Sequence, residues 1–319
     1  MSGDVSFGID VDAMRLMVAR DGSESVESVG NEARSIRAWL KRIPACSRIG
    51  VESTSSYHQR VVQLAQSAGH RVYVLNARDV RYYAKGVGRR GKTDRVDAQV
   101  IARYVAKEAD HLHVYVPRSP EQQALHVLQQ QRSAVQRSVT QLRQALTAHG
   151  PLGERFRPLM QAARDAQRDL DRQIRACTDH GPHAALFRRL MTVPGIGPVV
   201  AACVVQHLTR WPLTHVDAWV ACTGLDPRPN DSGRKIGRRI LSKRGDATLR
   251  QMLFMAAMSF ARNPVGKAIA SRYRQRLSST ATYNCLARML ARIVWSLSKS
   301  GNDFALDRFA HDHRVIVAA

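Results

Sequence analysis

The sequence is short of acid: across 319 residues, 26 Asp and Glu stand against 49 Lys and Arg, a formal net charge of +23 at pH 7. That deficit goes far beyond what solubility requires and suits a polyanionic partner, with nucleic acid first in line. Cysteine is sparse too. Cys46, Cys177, Cys203, Cys222 and Cys285 are odd in number, widely scattered and without a Cys-x-x-Cys spacing. This excludes a disulfide framework and a zinc site, and leaves buried thiols in a reducing compartment. No apolar run approaches the roughly 18 residues of a membrane span, and no signal-peptide pattern opens the chain. A soluble cytoplasmic protein without a membrane partner is expected. Internal repeats and low-complexity tracts are also lacking.

The cations that are present lie unevenly. Residues 201–319 carry 19 basic and 7 acidic side chains, whereas residues 1–117 carry 18 and 13. The strongest phosphate contact is therefore expected toward the C-terminal end. The acids retained in the first third need another role. At this length two domains and a connecting element are the natural division.

Val5-x-Phe7-x-Ile9-x-Val11 alternates like a strand, and Met14 to Arg20 follows as a second run before the turn signal Asp21-Gly22. A short strand near Val26 to Val29 extends this hairpin, and Asn31 is expected to cap a helix containing Ile36, Leu40 and Ile43. Strands at Arg48 to Glu52 and Val72 to Leu75 then alternate with helices, which implies parallel pairing. A helix is expected to start near Thr93, and Val114-Tyr115-Val116 to close the domain at Pro117. Between Pro120 and Gly150, Leu128, Val135 and Leu142 lie seven apart, with Val139 and Leu146 offset; after the Gly150-Pro151 break, Phe156, Ala163, Leu170 and Cys177 repeat that spacing. An antiparallel helical hairpin or a self-associating coiled coil explains both stripes. The remainder reads as mainly helical, interrupted by a polar insertion from Asp226 to Gly245.

Asp10 and Glu52 each end an apolar strand, and Asp94 and Asp97, at i and i+3, share one face of a helix start. Acids so placed can converge on one sheet edge, where they repel unless a divalent cation lies between them. Such a set suits phosphoryl transfer assisted by Mg²⁺ or Mn²⁺. The alternative is that each acid caps its own element. Asp12 is expected on the same side as Asp10, as an accessory. Lys92 and Arg95 flank the aspartates and are candidates for phosphate contact. The order strand-Asp, strand-Glu, helix-Asp-x-x-Asp resembles the ribonuclease H-like superfamily, particularly RuvC-type resolvases.

Val193-Pro194-Gly195-Ile196-Gly197-Pro198 between apolar runs looks like a helix-hairpin-helix turn, in which Gly195 and Gly197 let backbone N–H groups approach a phosphate. Ser232 lies in the polar insertion between turn formers, near Arg234, Lys235, Arg238 and Arg239. Its chemistry alone leaves loop residue and nucleophile both open, since a hydroxyl needs an activating base or metal.

Gly8-Ile9-Asp10-Val11, Glu52-x-Thr54-x-x-Tyr57, Lys92-Thr93-Asp94-Arg95-x-Asp97-Ala98, Val193 to Gly197, Gly224-Leu225-Asp226-Pro227, Ser232-Gly233 and Gly245-x-x-x-Leu249-Arg250 resemble, in order, the DEDD transposases of the insertion sequence one-ten family. The resemblance implies a RuvC-like domain over 1–117, a coiled-coil hairpin over 118–182 and a mainly helical transposase domain over 183–319. It implies metal binding by Asp10, Glu52, Asp94 and Asp97, and Ser232 as the nucleophile of a phosphoserine link to DNA, with Arg250 among the nucleic-acid contacts. It further implies a structured noncoding bridge RNA that guides the reaction on DNA. Because recombination cuts four strands, a homo-oligomer, dimer or tetramer, is expected. A junction-resolving nuclease using metal-activated water, or a non-catalytic nucleic-acid-binding protein, are the alternatives. Ser55, where the family usually has glycine, and Asp12, where serine is common, depart from the pattern.

Overall fold

The alternating run near the start becomes the central strand of a five-stranded sheet. β1 (Ser6–Val11) pairs antiparallel with β2 (Arg15–Arg20), which pairs antiparallel with β3 (Val26–Gly30). On its other side β1 runs parallel to β4 (Arg48–Glu52), and β4 runs parallel to β5 (Arg71–Leu75). The order is β3-β2-β1-β4-β5. Short turns permit only the antiparallel pairings, whereas the parallel ones need crossovers, here the helices α1 (Ala33–Leu40) and α2 (His58–Ser67). α3 (Ala77–Gly86) and α4 (Asp94–Glu108) follow. The computed structural model describes residues 5–53, 57–88, 93–147, 152–229, 231, 237 and 239–312. The chain divides into two units, Met1–Pro117 and Arg118–Ala319.

β1 is buried on both faces, which its alternation alone did not announce. Phe7, Ile9 and Val11 join Ile36 and Trp39 of α1 and Val61 and Val62 of α2 in one apolar cluster. Gly8 turns the other way, against Ala98 and Ala102 of α4. Two expectations are corrected. Asn31 does not cap α1, whose N-cap is Glu32, without a side-chain bond; its amide is bonded elsewhere, as described below. Val114-Tyr115-Val116 forms no strand; a backbone bond from Tyr115 N–H to the Val72 carbonyl at 2.7 Å ties it to β5, and Val114 and Val116 stay exposed.

In the second unit α5 (Pro120–Thr147), the short α6 (Leu152–Arg155) and α7 (Arg157–Asp179) form an antiparallel hairpin. Arg132 pairs with Asp171, and Gln167 Nε2 donates to Gln136 Oε1 at 2.7 Å, so one helix advances four residues as the other retreats four. Val139 is buried in this seam, while Leu128, Val135 and Leu142 are only partly covered. On α7 the covered positions drift to Ile174 and Thr178, and Cys177 is exposed. A straight helix has 3.6 residues per turn, so a strict seven-residue spacing leaves the seam after a few turns.

The remaining elements are α8 (Ala184–Leu190), α9 (Pro198–Leu208), α10 (Val216–Thr223), the short antiparallel pair β6 (Pro227–Arg228) and β7 (Ile240–Leu241), α11 (Ala247–Phe260), α12 (Pro264–Arg274), α13 (Ser279–Ser300) and α14 (Leu306–Asp312). Phe187, Trp219, Leu249, Phe260 and Leu290 are central to one core, which also takes in Leu125 and Ile174 of the hairpin. The buried Trp219 indole N–H is satisfied by the Ala291 carbonyl at 2.9 Å. Among the described residues no helix is long and apolar enough to cross a membrane.

Candidate functional site

The parallel register pairs Ile9 with Val51, so the next residues, Asp10 and Glu52, end neighbouring strands side by side. Each lies two residues beyond a glycine, Gly8 or Gly50, and therefore on the same sheet face as that glycine. α4 covers this face at close range. A Cβ on Gly8 would lie 2.1 Å from the Ala102 nitrogen and 2.2 Å from the Ala98 carbonyl, and one on Gly50 would lie 2.4 Å from a Val105 methyl. Only glycine permits that approach.

The first turn of α4 carries Asp94 and Asp97, and Thr93 caps it by accepting from the Val96 N–H. Carboxylates suit this end of a helix. The consequence is electrostatic. The half-buried Asp10 carboxyl is pushed up to about 6, first by burial and then by the negative charge of Asp94, Asp97 and Glu52, against a weaker lowering by a backbone hydrogen bond at Val11. All four sequence-selected acids therefore act on one point. They do not form a closed cage: among the described residues no three His, Cys, Asp or Glu side chains are gathered closely enough to hold an ion.

Asp12 does not share the site as expected. β1 ends at Val11, the alternation stops there, and the exposed Asp12 carboxylate accepts from the Ala13 N–H at 2.7 Å. Arg95 is exposed in the first turn of α4; Lys92 lies outside the described residues, as does Thr54.

In the second unit the Gly-rich turn separates two roles. Gly195 has φ +89°, and a Cβ there would lie 2.6 Å from the Ala256 carbonyl and the Phe260 nitrogen of α11. Glycine is thus required for packing at 195, in addition to the phosphate approach expected of the turn. Gly197 is exposed, with open space around its Cα, at the N-terminus of α9.

Ser232, Arg234, Lys235 and Arg238 lie outside the described residues, but both ends of their loop are described. Asp231 accepts from the Gly237 N–H at 3.0 Å and from Arg239 Nη1 at 2.7 Å, and these bonds hold its carboxyl below the usual range. The base of the insertion is laced more tightly. Ser242 bonds the Asp226 carboxylate, and the Asp246 N–H reaches the Cys222 carbonyl at 3.0 Å. Gly245 lies so near Gly224 that a Cβ would come within 2.4 Å of its nitrogen. Arg250, expected at nucleic acid, directs Nη1 to the Gly245 and Thr223 carbonyls, at 3.3 and 3.5 Å.

Three residues were not singled out for these contacts in the sequence. Asp231 is adjacent to Ser232, and its signal was its position beside two turn formers. Asn31 was read as a helix cap. His207 gave no signal, because its partner Asp246 is distant in sequence.

Comparison with known proteins covers both units. Residues 9–150 match a family model described as "Transposase", of the DEDD IS110 type, and residues 187–274 match "Transposase IS116/IS110/IS902 family". The chain is 30% identical over 235 residues to a pilin gene-inverting protein of Moraxella bovis, covering 71% of each. It is 28% identical to a probable family 20 transposase of Pseudomonas aeruginosa over 82% of this chain and 86% of the other. It is 25% identical to the transposase for insertion sequence element IS1328 of Yersinia enterocolitica, over 84% and 88%.

Proposed function

Since the chain belongs to the IS110/IS116/IS902 family of transposases, an enzyme acting on DNA, we propose that it exchanges DNA strands by metal-dependent phosphoryl transfer through a phosphoserine intermediate at Ser232. The observation that carries this reading is the raised Asp10 carboxyl, held up by burial and by Asp94, Asp97 and Glu52. A carboxyl at a strand end whose ionisation is made costly by burial and by three other acids has no structural use there. Hard oxygen donors around a charge deficit fit Mg²⁺ or Mn²⁺. When bound there, a divalent cation supplies Lewis acidity toward a phosphate oxygen and eases loss of a hydroxyl proton.

The chain's own groups then divide the work. Asp10 and Glu52, fixed by strand register, would be the rigid ligands, and Asp94 and Asp97 of α4 would complete the set. Arg95 with Lys92, and Arg239 with Arg234, Lys235 and Arg238, hold phosphates near the two reactive centres. Ser232 attacks the scissile phosphate and is esterified while a 3′ hydroxyl leaves; attack by a 3′ hydroxyl on that ester later frees the serine. Gly197 at the start of α9 offers backbone donors to the DNA backbone.

The sheet order, two antiparallel and two parallel pairings with the acids at the ends of β1 and β4, supports a RuvC-like, ribonuclease H-like reading of residues 1–117. Residues 118–182 are then the connector and 183–319 the transposase domain. The reading includes a structured guide RNA, for which the cationic excess provides the charge, and a dimer or tetramer. A gene-inverting relative favours inversion as a second outcome of the same chemistry. Asp10→Asn and Asp97→Asn test the reading: each should retain helix content and lose recombination. Full recombination by either variant after EDTA treatment would overturn it.

A further inference from the structure

Asn31 follows β3, the edge strand of the sheet, and its side chain is almost wholly buried, 3% exposed. Its amide nitrogen gives one bond to the Asp12 carbonyl at 2.9 Å and another to the Tyr57 carbonyl at 3.3 Å. Its backbone N–H reaches the Met14 carbonyl at 2.9 Å, and its own carbonyl accepts from Arg60 Nη1. These partners belong to two different segments. Asp12 and Met14 form the turn that leaves β1 just after Asp10, whereas Tyr57 and Arg60 open α2, the segment that leaves β4 after Glu52.

We infer that Asn31 is a positioning residue for the carboxylate site, a clip that sets the separation of the strand ends bearing Asp10 and Glu52. The inference rests on the reading of those acids as metal ligands. β1 and β4 are paired with each other through Ile9 and Val51; beyond that point Asp10 and Glu52 are laddered to their outer neighbours, Met17 and Leu75, and not to one another. Two carboxylates side by side repel, so the strand ends tend to splay. A side chain bonded to both outgoing segments opposes that movement, and both of its donor hydrogens are committed to it. The cost is visible in the same residue: among the described residues the buried Asn31 Oδ1 has no hydrogen-bond partner. A side chain selected for stability alone would satisfy that acceptor. Mutating groups that orient ligands from behind commonly weakens metal affinity by about ten- to a hundredfold.

The test is a Mn²⁺ titration of the full chain, read from the electron paramagnetic resonance signal of free Mn²⁺, with metal-free thermal unfolding measured in parallel. Asn31→Leu keeps the branched heavy-atom shape and removes both donors; Asn31→Ser keeps one. Asp10→Asn should lose the tight site. Asn31→Leu should bind about tenfold more weakly or worse, with an unfolding temperature close to the parent's, and Asn31→Ser should fall between. Parent-like affinity in Asn31→Leu, while Asp10→Asn has lost binding, overturns the clip and leaves the metal reading intact. Equal binding by the parent and Asp10→Asn overturns the metal reading and the clip with it. Should Asn31→Leu fail to fold, parent-like affinity in Asn31→Ser overturns the inference.

Discussion

His207, in the last turn of α9, lies 3.7 Å from the carboxylate of Asp246, the residue that caps α11 by accepting from the Leu249 N–H at 2.7 Å. At that distance the contact is an ion pair rather than a close hydrogen bond. Burial opposes charge on His207, yet attraction to Asp246 and contacts with Cys203 prevail and push the imidazole up to about 10. Burial likewise opposes charge on Asp246, and His207 with backbone donors brings it down to about 2. The end of a helix also favours a cation. His207→Gln should therefore destabilise the second unit by about 1–2 kcal/mol near pH 6, less than a fully buried pair because Asp246 is partly solvated. A group whose pKa is raised on folding contributes fully below its unfolded value and loses that contribution as pH rises to the folded one. The difference between parent and variant should thus shrink between about pH 6.5 and about pH 10. Denaturant melts at pH 6 and pH 9.5 check this; an equal difference at both would contradict it.

Gly8→Ala should be among the most damaging small substitutions in the first unit. The added carbon would meet backbone atoms of α4 rather than a movable side-chain tip. Lifting α4 also withdraws Asp94 and Asp97 from Asp10. A loss of about 3 kcal/mol is expected from overpacking, with recombination falling further than stability does. Thermal unfolding and a strand-exchange assay on the same preparation separate the two; parent-like values in both would refute the packing argument.

The four acids were legible because each ends or begins a strongly patterned element: alternation located Asp10, an apolar strand located Glu52, and helix-start spacing joined Asp94 to Asp97. The sense of strand pairing was legible for a related reason, since connection lengths decide parallel from antiparallel. What failed has a common cause. Asn31 obeyed the local rule for a cap, but its side chain was claimed by Asp12 and Tyr57, contacts that only the folded sheet creates. The packing of Gly195 against α11 and the bonds of Arg250 to the Gly245 and Thr223 carbonyls were not legible either, because only the folded chain brings those neighbours together. Cys177 fell off its stripe because a strict seven-residue count drifts off one face of a helix with 3.6 residues per turn, and the covered positions are Ile174 and Thr178.

The cationic excess of residues 201–319, 19 basic against 7 acidic, predicts steep salt dependence of nucleic-acid binding. A protein contacting some six to ten phosphates loses roughly a thousandfold or more between about 50 and about 200 mM salt. Fluorescence anisotropy with duplex DNA over that range should give a log–log slope of about −5 or steeper. A shallow slope would place recognition in uncharged contacts instead.

Metal binding should weaken as pH falls through about 6, because the Asp10 carboxyl must lose its proton to become a ligand. The sign for metal-free stability is opposite. A carboxyl with a raised folded pKa binds its proton more tightly in the native state, so the metal-free protein should gain stability as pH falls from about 6 toward its ordinary value near 3.8. Asp10→Asn removes that term and should stabilise the metal-free first unit at pH 7 by about 1 kcal/mol, after allowance for solvent screening. Calorimetric scans of parent and variant at pH 5 and pH 7, with and without Mn²⁺, check both signs. Identical pH dependence in the two proteins would remove the link between Asp10 and its three neighbours.

The sharpest expectation is that Ser232 becomes joined to DNA. A serine hydroxyl is a weak nucleophile at neutral pH, and the described groups at its loop, Asp231 bound to Arg239 and to the Gly237 N–H, leave no carboxylate there to act as a free base. On the proposed reading, activation would come from a cation held by Asp10, Glu52, Asp94 and Asp97, which would make the two sites separable by mutation. Ser232→Ala should yield no adduct at any metal concentration, whereas Asp94→Asn should leave the serine present but idle. If the two sites serve one reaction in an assembled oligomer, mixing the two variants should restore part of the activity. A nicked substrate that traps the cleaved state, followed by proteolysis and mass spectrometry of the peptide containing Ser232, reads the adduct directly. Efficient cleavage by Ser232→Ala, leaving free 5′ phosphates and no nucleotide on that peptide, would mean that metal-activated water is the nucleophile and that the protein resolves DNA without a covalent intermediate.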